Sequence, residues 1–287
     1  MEYSKTVSKS PNLLIFIFIV SLLQLPAASE AVSGSTGMET KASSGSDIAE
    51  TPSERFNTFN NLVRDGKIGR DDGVKSLNAL LRELKEDYYR RGGKDFPRHS
   101  WIFPLEGYDA KSLSGASDKG YRASGYDYFR GNRHGGHPSF DIFIRDRNQD
   151  CLDDQLGVSV KVLSLGGGII GALESQWQPG NTLRGGKYIW VYDPGNELLV
   201  YYAHNGNLAV RLGDIVKPGD LLGSVGRSGL NAAKRRSPTH LHLTVLEIKD
   251  GRPSPLNIYQ DLAGAGKVLS AGNVVHNSSK TMRRVNR

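Results

Sequence analysis

The chain has 287 residues, with 37 Lys and Arg against 30 Asp and Glu, for a formal net charge of +7. With 38% hydrophobic and 23% charged residues, it is neither a wholly disordered chain nor a many-span membrane protein. Lys267, Lys280, Arg283, Arg284 and Arg287 stand in the acid-free segment 263–287, which therefore holds five of the seven net charges. The remaining chain is close to neutral, so a basic nucleic-acid-binding core is not expected. The single cysteine, Cys151, excludes an intramolecular disulfide.

In chain order, residues 13–23 (LLIFIFIVSLL) form an apolar run preceded by Lys5 and Lys9 and followed by Pro26-Ala27-Ala28 and Ala31. The run is shorter than the roughly 20 residues a membrane span needs, and the flanks suit signal peptidase. Residues 1–31 are read as a signal peptide, with an uncleaved anchor as the alternative. Export to the periplasm, cell envelope or exterior is expected, with no stable membrane span after cleavage. Residues 32–50, rich in Ser, Gly and Thr, read as a flexible linker.

Thr51-Pro52-Ser53-Glu54 carries a helix start: Thr51 to cap, Pro52 for the first helical position and Glu54 to complete a capping box. Phe56, Phe59, Leu62 and Val63 share a helical face, and Val74, Leu77, Leu81, Leu84 and Tyr88 recur at three- and four-residue steps. The pattern predicts a helical hairpin over 51–93. It either packs on the following domain or covers its groove as an inhibitory prosegment.

From Pro97 the texture becomes β. VSVKVLSL, KYIWVYD, LLVYYAH and HLHLTVLEI are short, rich in β-branched and aromatic residues, and separated by Gly, Asp, Asn or Pro. The fold class expected is mainly β: an antiparallel sheet domain over 97–262, preceded by the helical hairpin. Residues 263–287 read as a basic, disordered tail. Tyr188, Trp190, Tyr192, Tyr201 and Tyr202 are expected to be packing residues, with one or two lining a groove.

Three histidine features stand out. On a strand, His240-Leu241-His242 places both imidazoles on one face, about 6.6 Å apart. His137 and Asp141 would stand about 13 Å apart on a straight strand, too far for one metal. The segment must therefore bend, with His137 in a loop after Gly135-Gly136 that feeds a strand beginning near Asp141. Tyr201-Tyr202-Ala203-His204 ends another strand. Each feature alone is consistent with a structural or surface histidine. Together, His137, Asp141 and His242 supply three ligands and leave a fourth zinc position for water, as catalytic sites require. His204 and His240 remain as acid/base groups. No His-Glu-x-x-His occurs, so histidine must do the proton transfer.

The order His-x-x-x-Asp, Tyr-x-His, His-x-His, with VKPGDLLGSVGRSG between the last two, resembles the lysostaphin/LytM-type metallopeptidases of family M23. The resemblance covers roughly 97–262. It implies a LytM/lysostaphin-type β domain with one Zn2+ on His137, Asp141 and His242. It also implies catalytic roles for His204 and His240: His240 as the general base, His204 as a donor to the oxyanion or an orienter of water. The implied activity is hydrolysis of peptide cross-links or stem peptides of bacterial peptidoglycan. A catalytically silent LytM-like module, binding wall or activating another hydrolase, is the alternative. Two departures bear on substrate preference: residues 145–154 lengthen the loop after the ligand strand, and residues 232–237 (AAKRRS) replace a short turn before His240. Residues 146–154 also partly mimic a calcium loop, but Cys151 stands where Gly is expected, and a solvated acidic loop is the favoured reading.

Overall fold

The structure is a computed structural model that describes residues 49–113 and 120–269. The expected signal peptide, nearly all of the linker and the tail beyond 269 lie outside the described residues. Two helices come first, α1 (Pro52–Arg64) and α2 (Arg70–Arg90). The capping box forms as its residue types require: Thr51 Oγ1 accepts from the Glu54 amide at 3.2 Å, and the Thr51 amide donates to the Glu54 carboxylate at 2.7 Å.

Nine strands follow: β1 (Ser139–Phe143), β2 (Lys161–Leu163), β3 (Gly168–Glu174), β4 (Lys187–Asp193), β5 (Leu198–Leu208), β6 (Ile215–Val216), β7 (Leu221–Val225), β8 (His240–Lys249) and β9 (Arg252–Pro255). A short helix, α3 (Tyr259–Gly264), comes last. The main path of the sheet runs β1-β8-β5-β4-β3-β6, with β9 beside β8 and β7 joining β5 to β2. Every pairing of these strands is antiparallel. The fold is thus mainly β, an antiparallel sheet with two helices ahead of it, as expected.

Side-chain alternation gives the sheet two faces with different partners. One buries Phe140, Ile142, Leu241, Leu243, Val245, Val200 and Tyr202 against Trp101, Phe103, Leu105 and the β2/β7 residues Val162, Leu222 and Val225. The other buries Ile169, Ala172, Tyr188, Trp190, Tyr192, Leu199 and Leu246 under Phe56, Phe59, Val63, Leu77, Leu81, Leu84 and Tyr88 of the hairpin. The hairpin therefore completes a core that β3 and β4 would otherwise expose to water. It covers only part of this second face, and the candidate site occupies the part left open. Among the described residues, no helix is long and apolar enough to cross a membrane.

Candidate active site

Strand register builds the centre of the site. Asp141 of β1 is paired with His242 of β8, and His242 with Ala203 of β5. Leu241 and Leu243 face the core, so His240, His242 and Thr244 project to the opposite, open face. His242 Nδ1 stands 3.0 Å from Asp141 Oδ1. His137 arrives by the bend that its spacing to Asp141 demanded. Gly136 takes φ +71, and a Cβ there would press within 2.7 Å of the Ser124 carbonyl. Backbone hydrogen bonds in both directions between His137 and Arg122 fix the turn. His137 Nε2 then lies 3.4 Å from the same Asp141 oxygen.

His204 reaches the site against strand alternation. Ala203 faces His242, so a regular β5 would aim His204 at the opposite face. Instead His204 adopts φ +65 and the register of β5 slips on both neighbours beyond it. This bulge-like kink turns its ring to 5.0 Å from that of His240 and 5.4 Å from that of His242, centroid to centroid. The Ser228 carbonyl accepts from His204 Nδ1 at 2.8 Å, and the Pro238 carbonyl accepts from His240 Nδ1 at 2.7 Å. A carbonyl only accepts, so both rings carry their proton on Nδ1 and present the Nε2 lone pair to the site. His240 Nε2 is 3.7 Å from Asp141 Oδ1.

Electrostatics follow from this crowding. Burial alone would raise the Asp141 pKa, but the adjacent His137 and His242 imidazoles hold its carboxyl far below the usual range. The bond to Asp141 raises His137 against its partial burial. Burial pushes His204 well below the usual imidazole value, aided by the neighbouring His242 and His240, so its neutral form prevails at pH 7. His242 is also lowered by burial, with Asp141 opposing. A neutral His204 protonated on Nδ1 is a proton acceptor at Nε2. It becomes a donor to an oxyanion only after taking up a proton.

The donor set fits a metal ion. His137 Nδ1 donates to the Gly120 carbonyl at 3.1 Å, so in the neutral ring the Nε2 lone pair points at a carboxylate oxygen. Two acceptors facing each other call for a cation between them. Ligand atoms about 2.0–2.1 Å from a tetrahedral zinc stand about 3.3 Å apart, against 3.0 and 3.4 Å here. His137, Asp141 and His242 form one group with all ligand atoms within 4.8 Å, and His204, His240 and His242 form another. The carbonyl bonds of His137, His204 and His240 are of the kind that fixes ring orientation around metals.

Beside the cluster opens a cavity of about 330 Å³. Tyr126, Tyr128, Tyr188, Trp190 and Tyr201 give it aromatic walls, and Asn60, Val63 and Arg64 of α1 close one side. Tyr192 and Tyr202, by contrast, are fully buried. Arg64 is held by Asp65, Glu174 and the Tyr188 hydroxyl. The hairpin thus walls the cavity and packs into the core. Nothing in the pattern of its sequence marked Asn60 or Arg64 for this.

The segment 146–154 is only partly the solvated acidic loop expected: Asp150 and Asp154 are exposed, whereas two acids are buried. Asp146 is 7% exposed and Asp153 fully buried. Asp146 accepts from the amides of Asp150 and Cys151 and from the Thr239 hydroxyl at 2.6 Å. Asp153 accepts from Arg145, the Tyr108 hydroxyl and two amides. The oxygens a calcium ion would need are already engaged. Cys151 is a poor thiolate, raised by burial first and by Asp146 second. The loop's work is mechanical: with Arg227, which donates to the Ser237 carbonyl and Thr239, it anchors the chain entering β8 at His240. No local pattern marked Asp146 and Thr239, whose bond spans 93 residues, or Arg227, which reaches Thr239 across 12.

Residues 152–255 match the model of peptidase family M23. The match contains His204, His240 and His242, whereas His137 and Asp141 precede it and join the site through β1. No curated protein matches the chain significantly. Among solved structures, a chain from Ruminococcus gnavus described as glycyl-glycine endopeptidase LytM is similar at 22% identity and TM-score 0.41, covering 77% of this chain and 94% of its own. Lysostaphin from Staphylococcus simulans follows at 21% and 0.34, over 63% of this chain and 62% of its own. A zinc-containing peptidase from Vibrio cholerae stands at 18% identity and TM-score 0.33, over 57% of this chain and 40% of its own.

Proposed function

We propose that the protein is an exported zinc-dependent endopeptidase that cleaves peptide cross-links or stem peptides of bacterial peptidoglycan. The observation that carries this reading is the convergence of five side chains from β1, β5, β8 and the loop before β1. His137, Asp141 and His242 would hold the ion; His204 and His240 would face the substrate. A zinc ion there supplies a Lewis acid that lowers the pKa of water towards 7 and polarises the scissile carbonyl. His240 Nε2 takes the proton of the attacking water and returns it to the leaving amine. His204 Nε2 accepts a second hydrogen bond and orients that water. The Ser228 and Pro238 carbonyls keep both rings in the required tautomer. The match of residues 152–255 to the M23 peptidase model supports peptide-bond hydrolysis, and the motif resemblance implies peptidoglycan as the substrate class. Retention of all five residues speaks against the silent regulatory module.

The test is metal analysis of the purified protein together with release of peptides from purified peptidoglycan, with and without chelator. Stoichiometric zinc and chelator-sensitive release are expected. Zinc without release from any peptidoglycan overturns the substrate assignment, and absence of bound metal overturns the mechanism.

A further inference from the structure

The cavity beside the His/Asp cluster has a charge asymmetry that its residues leave unbalanced. Its lining contains one carboxylate, Asp141, already enclosed by imidazoles. It contains two guanidinium groups. Arg64 is neutralised by Asp65 and Glu174. Arg184 forms no ion pair among the described residues. Its Nη1 donates to the carbonyls of Asn132 and His134 at 3.1 and 3.2 Å, which orients the fork while leaving Nε and Nη2 without a protein acceptor. Next to it, Gly185 has no room for a side chain because the Tyr201 hydroxyl occupies the place a Cβ would take. That hydroxyl also lines the cavity and has no hydrogen-bond partner among the described residues. Lys234, Arg235 and Arg236 add exposed positive charge in the loop before β8.

We propose that Arg184 and Tyr201 form a carboxylate-binding subsite, so that the preferred peptide bears a free carboxylate on a residue beside the scissile bond. The inference rests on the peptidase reading and names its substrate chemistry. A guanidinium fork with two free donors matches a planar carboxylate, and the phenol supplies a third donor to the same anion. The 330 Å³ cavity gives the carboxylate-bearing side chain a place to lie against aromatic walls. A glycyl-glycine bridge has neither a side chain for that space nor a charge for that arginine. The lysine and arginines of the rim act at longer range, raising the local concentration of an anionic peptide without selecting its geometry.

The experiment compares sacculi carrying free stem-peptide carboxylates with the same sacculi amidated by carbodiimide and methylamine. Two readouts are taken on the full-length, zinc-loaded protein: cosedimentation on ice and peptide release on warming. Wild type should bind and cleave the free-carboxylate form about tenfold better, the ratio expected for losing one charged hydrogen-bonded contact. Arg184→Gln should lose that preference and match wild type on amidated sacculi, while Arg184→Lys keeps part of it. Tyr201→Phe removes only the hydroxyl and should shrink the preference to about a third, which guards against a local collapse when Arg184 no longer ties Asn132 and His134. Equal binding of both sacculi by wild type overturns the inference in favour of an uncharged bridge. A preference that survives in both Arg184→Gln and Tyr201→Phe also overturns it and assigns the effect to the rim, the basic tail or phosphate polymers in the wall. Binding preference without peptide release would overturn the peptidase reading and leave the subsite standing.

Discussion

Asp141 and His242 lie directly opposite each other on β1 and β8, 101 residues apart in sequence, with Oδ1 3.0 Å from Nδ1. One carboxylate oxygen thereby faces three imidazoles, those of His137, His240 and His242. Asp141→Asn keeps the shape and removes the charge. Metal affinity should fall by more than about 100-fold, beyond the loss typical of outer-shell partners. His204→Ala should retain the metal and lose about 10²–10⁴ in turnover. Metal content after dialysis and peptide-release rates separate the two, and equal metal loss in both variants would contradict the assignment.

The placement of His204 depends on backbone that only glycine tolerates. Gly229 has φ +112, and a Cβ there would collide with the Arg184 carbonyl and sit 3.0 Å from His204 Nδ1. Gly229→Ala should displace the imidazole, cutting turnover at least about tenfold with metal content unchanged. A variant with wild-type kcat would show that His204 is not held by this loop.

The hairpin is integral to the sheet's second core, and this sets the outcome of truncation. A chain beginning at Pro97 exposes Ile169, Trp190, Tyr192 and Leu246, and it loses Asn60, Val63 and Arg64 from the cavity wall. It should aggregate or lose activity rather than gain it. Phe56→Ala within the full chain should cost about 3–5 kcal/mol in urea unfolding. Higher activity of a stable truncated chain would restore the inhibitory-prosegment reading.

Asp193, the last residue of β4, gives a pH signature separate from the site. Burial raises its pKa to about 6, against hydrogen bonds from Asn196 and the Gly195 amide. The folded pKa lies above the unfolded one, so between about pH 4 and 6 the native state binds the proton more tightly. Stability from this group is therefore lost as pH rises through that window. The stability of Asp193→Asn relative to wild type should increase over that range by roughly 2 kcal/mol and then level off. A difference that stays constant from pH 4 to 7 would contradict the assignment.

Much of the architecture was legible along the chain because its signals are local. The capping box at Thr51, the helical periodicity to Tyr88 and the His-Leu-His alternation each involve neighbours within a few residues. The need for a bend between His137 and Asp141 followed from chain dimensions alone, and Gly136 and Pro138 provide it. At 146–154 the sequence shows the charges of Asp146 and Asp153 and not the donors that bury them, while Asp150 and Asp154 stay exposed as expected. Thr239 lies 93 residues from Asp146, yet its hydroxyl helps satisfy that buried carboxylate and anchor the loop.

By itself, the sequence determined the residue types able to bind a metal and move protons, the helical hairpin and the run of antiparallel strands. Only the tertiary structure decided that His204 faces inward, since that depends on a left-handed backbone angle that overrides strand alternation. It alone made the hairpin a wall of the cavity and left Arg184 without an ion-pair partner among the described residues. The physical reason is common to these cases. Periodicity encodes which face a side chain takes within its own element, whereas pairing, desolvation and charge balance arise where distant elements meet.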